Sequence, residues 1–402
     1  MGLRLNLHRT VAFAFFLAAG AAPVTAETSG ANDVLSPLVA TPIASPNPVL
    51  MTDDKVHLVY EVVLMNMAGG DITIKKVETL DAANGTVIGT LEGDSLAKQL
   101  RLNGGGKETA LSGGGSGTVF MDVTLPKDAT IPKALQHRFD IEVAKETGGD
   151  RDGDRDPAPE HPQEIAVTGD PLPVGPGAVV IAPPLKGPRW VIGGGCCAPP
   201  SYHRSATLPI NGALRVAERF AIDFVQLNDK DALADGPPDQ LTSYAFFGDE
   251  ILSVADGTVV AAEDGQPEQV PGKLPDDATI RTAAGNHVVV DIGGGRFAFY
   301  AHMQPGSLKV KPGDRVKTGQ VLGLLGNTGN TDAPHLHFHV MDGPSPLLSN
   351  GLPYVFTGFS VEGRVTDEEP LFKGSPVTIE KTALSGPFKD QLPLNDQVVD
   401  FP

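Results

Sequence analysis

A chain of 402 residues can build two domains with separate cores, and its hydrophobic fraction of 41% is that of a globular protein. The formal net charge of −18 disfavours nucleic acid, whose binders need basic patches. It also argues against broad adhesion to anionic membranes or polymers, so any anionic partner must be held by local groups.

Arg4, His8 and Arg9 give a positive start, Val11 to Ala22 an apolar run, and Val24-Thr25-Ala26 the small residues that a signal peptidase reads. Residues 1–26 are therefore expected to be a signal peptide; the run is short for an uncleaved anchor. No cysteine follows the cleavage point, which argues against a lipid anchor there. No later segment is apolar for long enough to form a stable membrane span, so the expected location is periplasmic or secreted.

Residues 27–48, rich in Pro, Ser and Ala, read as a flexible lead-in. Strand signals fill 49–145. Val56, Leu58, Tyr60, Val62 and Leu64 share one parity, and both parities carry apolar side chains near the middle, as a sandwich strand can. Asn84-Gly85 marks a hairpin turn. Val119, Met121 and Val123 repeat the alternation, as do Phe139, Ile141 and Val143. Short strands with Gly-rich turns and no helical period predict an immunoglobulin-like β-sandwich, a fold silent about chemistry and expected here to be a spacer or docking module.

Residues 146–200 read as an Asp/Gly/Pro-rich linker. Its Asp-x-Asp spacing lacks the closing Glu of an EF-hand loop. The only cysteines, Cys196 and Cys197, are adjacent, closer than ordinary disulfide geometry wants. A strained vicinal bridge, two thiols and an interchain bond all stay open, and nothing nearby completes a two-cysteine metal site. A second domain covers 201–365 and a polar, Pro-rich tail covers 366–402. The whole is predicted mostly β, with an N-terminal sandwich and a C-terminal antiparallel sheet domain.

Within the second domain, His335-Leu336-His337-Phe338-His339 has a period of two. On a strand its three imidazoles share one face, and Leu336 and Phe338 the other. Three histidines in register are costly to bury without partners, and histidine is the commonest metal ligand and acid–base group near neutral pH. A functional site is the expected reading.

The stretch from Arg219 to about Val340, near a third of the chain, resembles the lysostaphin-type (LytM) zinc peptidases, which cut the peptides of murein. Three segments carry the resemblance: Tyr300-Ala301-His302, the run Val310-Lys-Pro-Gly-Asp-Arg-Val-Lys-Thr-Gly-Gln320, and Pro334-His-Leu-His-Phe338. It implies a zinc held by the His and Asp of a His-x-Gly-x-Asp motif and by the second His of His-x-His. By position Asp223 and His337 resemble two of those ligands. His302 and His335 resemble the pair that assists the metal-bound water and steadies the oxyanion.

One position departs from the family. The motif's first His aligns with Arg219, and Ala221 replaces the Gly. A guanidinium offers no lone pair and cannot bind zinc; it is expected to pair with Asp223 and put positive charge where a cation belongs. Two residues can substitute. His339 lies on the His337 face of its strand and can join Asp223 and His337. His203, in Ser201-Tyr-His-Arg204, can do so if its loop folds back. The preferred reading of His203 alone is a loop residue, and of His339 a groove-lining hydrogen-bond donor; His287 is read as structural. Two functions follow. One is a metalloendopeptidase of peptidoglycan peptides with an atypical zinc site. The other is a non-catalytic, degenerate domain that binds murein peptide or a partner hydrolase of the envelope.

Overall fold

The computed structural model describes residues 35–144, 162–198 and 201–402. The expected signal peptide and the Asp-rich centre of the linker lie outside the described residues. Strands dominate. Among the described residues the longest α-helix, Gly93–Gln99, has seven residues, and no helix is long and apolar enough to cross a membrane.

The N-terminal part holds two antiparallel sheets. In one, strand Lys55–Asn66 runs between Leu38–Pro42 and Ser116–Pro126. In the other, Ala134–Val143 runs between Ile72–Asp81 and Gln163–Thr168. Leu58, Tyr60, Val62 and Leu64 meet Ile74, Val77, Phe139 and Ile141 in one apolar cluster that both sheets share. Gly85, at φ +74°, supplies the left-handed backbone of the turn into Val87–Glu92. The opposite parity of Lys55–Asn66 is buried too. Val59 joins the core of the C-terminal part, and Glu61 faces the same way. A strand covered on both faces accounts for apolar residues at both parities.

The C-terminal part is built on a large sheet. Strands Arg296–Met303, Leu336–Met341, Ile222–Gln226, Gly187–Gly193, Gln397–Phe401 and Phe359–Val365 are successive antiparallel neighbours. Ile222, Phe224, Leu336, Phe338 and Val340 all point into one core with Tyr300, Tyr354 and Phe356. Burying Phe338 contributes roughly 1.5–3 kcal/mol by area alone. That burial fixes which face of each strand carries the polar residues, because a one-residue slip would turn every side chain over.

Three expectations are corrected. The lead-in contains strands Leu38–Pro42 and Pro48–Leu50. The linker contributes Gly187–Gly193, whose Trp190 is wholly buried. The tail is not separate from the second domain: Gln397–Phe401 lies between Gly187–Gly193 and Phe359–Val365 in the large sheet. Pro and Gly report local backbone preferences, and short strands of ordinary composition between them are recruited by partners distant in sequence. Of the arrangements left open for Cys196 and Cys197, the structure has the vicinal disulfide.

Candidate metal centre

Asp223 and His337 sit directly opposite each other on paired antiparallel strands, so their side chains emerge on one face. His337 Nδ1 lies 2.9 Å from Asp223 Oδ1. His335 Nε2 is 3.5 Å from the same oxygen. His302 closes the group, its ring centroid 4.5 Å from that of His335 and 5.9 Å from that of His337. These four residues, with His203 and His287, line a cleft of about 1240 Å³. His302 has φ +62°, a left-handed backbone that costs a non-glycine residue on the order of 1 kcal/mol and recurs at functional sites.

Arg219 is not where the sequence suggested. Its guanidinium does not pair with Asp223. It turns away and pairs with Glu61, with Nε 2.9 Å and Nη2 2.5 Å from Oε2, and Nη1 donates to the Gly351 carbonyl at 2.9 Å. A fully buried carboxylate from the N-terminal part outcompetes Asp223, which already has imidazole partners. Arg219 therefore does not stand at Asp223 in the place of a cation.

His339 lines the cleft and does not take the substitute-ligand place beside Asp223. It is 1% exposed, and its Nδ1 lies 3.0 Å from His337 Nε2, the nitrogen turned away from Asp223. It backs His337 rather than joining Asp223. His203 takes the nearer position. The short helix Tyr202–Ser205 buries it with Nε2 3.3 Å from Asp223 Oδ2 and its ring 4.9 Å from that of His337. One ligand atom each from His203, Asp223 and His337 lies within 4.8 Å of the others.

The far nitrogens are tied down. His203 Nδ1–H donates to the Gly194 carbonyl at 3.0 Å, His302 Nδ1–H to Thr328 at 2.7 Å, and His335 Nδ1–H to Ala333 at 2.8 Å. Each bond leaves Nε2 as the nitrogen free to act. This is how ligating histidines are oriented, by a carbonyl or carboxylate on the second ring nitrogen. Gly194, at φ +61°, permits the arrangement: a Cβ there would stand 2.7 Å from His203 Nδ1 and 2.5 Å from Tyr202 Oη.

The electrostatics fit a cation. Burial opposes ionisation of Asp223, but His203, His335 and the hydrogen bond from His337 outweigh it and hold the carboxyl well below the usual range. Burial likewise opposes charge on His203, yet Asp223 raises it to about 9. His302 is pushed well below its ordinary value by burial and by its histidine neighbours, which keeps it neutral. His203, Asp223 and His337 form a group that can hold a metal ion, and imidazole nitrogens with a carboxylate oxygen are donors that zinc accepts. Tyr202 was not anticipated. Its hydroxyl donates to Asp223 Oδ2 at 2.9 Å.

Residues 242–348 match peptidase family M23, whose members are zinc metallopeptidases. The matched stretch holds His302, His335, His337 and His339, and begins after His203, Arg219 and Asp223. The glycyl-glycine endopeptidase ALE-1 of Staphylococcus capitis is 39% identical over 71 residues, 17% of this chain and 19% of that protein. The peptidoglycan DD-endopeptidase ShyA of Vibrio cholerae is 41% identical over 58 residues, 14% and 13% of the two chains. The chain thus spans a fifth or less of the length of these curated relatives. The catalytic domain of the antimicrobial peptidase lysostaphin from Staphylococcus simulans aligns over 36% of this chain and 80% of that one, with 25% identity and a TM-score of 0.21. The chain therefore carries a LytM-type peptidase family M23 domain at residues 242–348.

Proposed function

We propose that this chain is an exported zinc endopeptidase of peptidoglycan peptides, with His203, Asp223 and His337 as its metal ligands. The observation that carries the reading is His203. It stands beside Asp223 and His337, with its outer nitrogen bonded to Gly194. A ligand lost from the usual motif position is thereby replaced from a different segment of the chain. Zinc held there would supply Lewis acidity, polarising a peptide carbonyl and easing deprotonation of water. His302 and His335 present their Nε2 atoms to the same space, placed for proton transfer and for hydrogen-bonding a developing oxyanion. His339 would keep His337 aimed, acting through its Nε2. We read the two-sheet N-terminal part as a β-sandwich docking module.

A second reading, a groove that binds murein peptide or a partner hydrolase without cutting, draws on Tyr202, whose hydroxyl occupies Asp223 Oδ2. Purified protein, stripped of metal and reloaded, separates the two. Stoichiometric zinc with chelator-sensitive release of muropeptides, both lost in Asp223→Ala, supports the enzyme. Murein binding with neither zinc uptake nor cleavage supports the binding module.

A further inference from the structure

The histidine that replaces the missing ligand sits on a helix of four residues, too short to hold its own shape. Its position is set by what grips it, and much of that grip comes from the N-terminal part. Arg204, next to His203, is 1% exposed, and its guanidinium forms an ion pair with Glu61. Arg204 Nη2 also donates to the carbonyls of Met121 at 2.7 Å and Tyr60 at 3.2 Å, both in the N-terminal sheet. Arg101 of the same part donates to the Ser205 carbonyl at 3.0 Å. Glu61 simultaneously holds Arg219, four residues before Asp223. One wholly buried carboxylate therefore clamps the residue next to one proposed ligand and the segment leading to another.

We infer that Glu61 is a positioning residue for the metal centre: the N-terminal part completes the zinc site by fixing His203 through Arg204. The inference rests on the zinc site proposed above. It gives the arginine at the vacated motif position a use. Arg219 and Arg204 share the anchor that brings the substitute histidine in, so loss of the usual ligand and gain of the new one are linked through a single carboxylate. Removing one member of such a buried group leaves the others uncompensated. The effect should reach the metal through orientation, for which losses of about 10–100-fold in affinity are typical.

The test uses the full chain and zinc alone. Affinity is measured by competition with a chromogenic chelator, and ligand geometry by the visible spectrum of the cobalt-substituted protein. Glu61→Gln and Arg204→Met are each compared with the unsubstituted chain and then combined with His203→Ala. The expected result is a zinc affinity about 10–100-fold weaker in each single variant, with an altered cobalt spectrum; once His203 is already Ala, Arg204→Met brings no further weakening and Glu61→Gln, which also releases Arg219, brings a smaller one than in the unsubstituted background. A folded Glu61→Gln protein with unchanged affinity and spectrum overturns the inference. So does an equal loss in the presence and absence of His203, which would mean a general structural role. If Glu61→Gln does not fold, Arg204→Met, which leaves the Glu61–Arg219 pair whole, decides by the same two results. Failure of the underlying site looks different: the unsubstituted chain itself takes up no zinc.

Discussion

His203 Nε2 stands 3.3 Å from Asp223 Oδ2, although twenty residues separate the two and the usual motif partner of Asp223 is only four residues away. The separation explains why Arg219 need not silence the site. Arg219, at the motif position, and Arg204, beside His203, both pair with Glu61, whereas the imidazole of His203 faces Asp223.

His302 and His335 are predicted to act on the reaction and not on metal retention. Neither belongs to the His203, Asp223 and His337 group. Substituting either by Ala should lower kcat on muropeptides by about 10²–10⁴-fold, the range for a lost acid–base group, while zinc content stays at that of the unsubstituted protein. Parallel kinetics and metal analysis check this. Zinc lost together with activity would assign them to the ligand set.

Gly194→Ala should damage the metal centre specifically. The added methyl would meet Tyr202 and His203 at under 3 Å on a left-handed backbone. Gly212→Ala is the control, because that glycine has φ +78° with open space around it and pays only the backbone cost of about 1–2 kcal/mol. Both variants should melt somewhat lower, and only Gly194→Ala should bind zinc more weakly.

Stability should fall with acid through His137. It is 3% exposed, and its Nε2 accepts a hydrogen bond from the Tyr60 hydroxyl at 2.7 Å. Burial lowers it from 6.5 to about 4. Between those values the unfolded chain binds a proton that the native chain refuses, so stability drops as pH falls through 6.5 and levels off below about 4. The full effect is about 3 kcal/mol. Urea unfolding at pH 7, 5.5 and 4.5 should show a shallower acid loss in His137→Gln than in the unsubstituted protein.

The two faces of one strand should respond differently to substitution. Phe338 packs between Tyr300 and Tyr354, each with its ring centroid 5.2 Å away, so Phe338→Ala should cost about 3–5 kcal/mol of stability. His339→Gln, on the other face, should leave folding nearly intact and weaken zinc by about 10–100-fold through loss of support for His337. Denaturant midpoints and chelator competition on both proteins check the contrast.

Much of the site was legible because periodicity and burial carry it. The His-Leu-His-Phe-His alternation places Leu336 and Phe338 in the core and the imidazoles on the opposite face. What escaped was long-range. Nothing local to Arg219 announces that Glu61, in another sheet, will claim it, and nothing in Tyr202-His203 alone says which way a four-residue helix will turn. The signal that was available is the run Gly193-Gly194-Gly195, where missing side chains mark a close approach, here of Tyr202 and His203 to the strand end. Composition misled at the linker and the tail for a related reason. Pro and Gly spacing describes turns, whereas Gly187–Gly193 and Gln397–Phe401 become strands because each supplies the other with a partner.

Zinc binding by His203→Ala addresses the central claim most directly. The account predicts that the unsubstituted chain, reloaded after stripping, holds zinc stoichiometrically, and that the variant folds but binds more than about 100-fold more weakly, beyond the loss of a merely supporting group. A folded His203→Ala protein that keeps stoichiometric zinc at unchanged affinity would contradict it, and would move the third ligand to His339 or to another residue of the cleft.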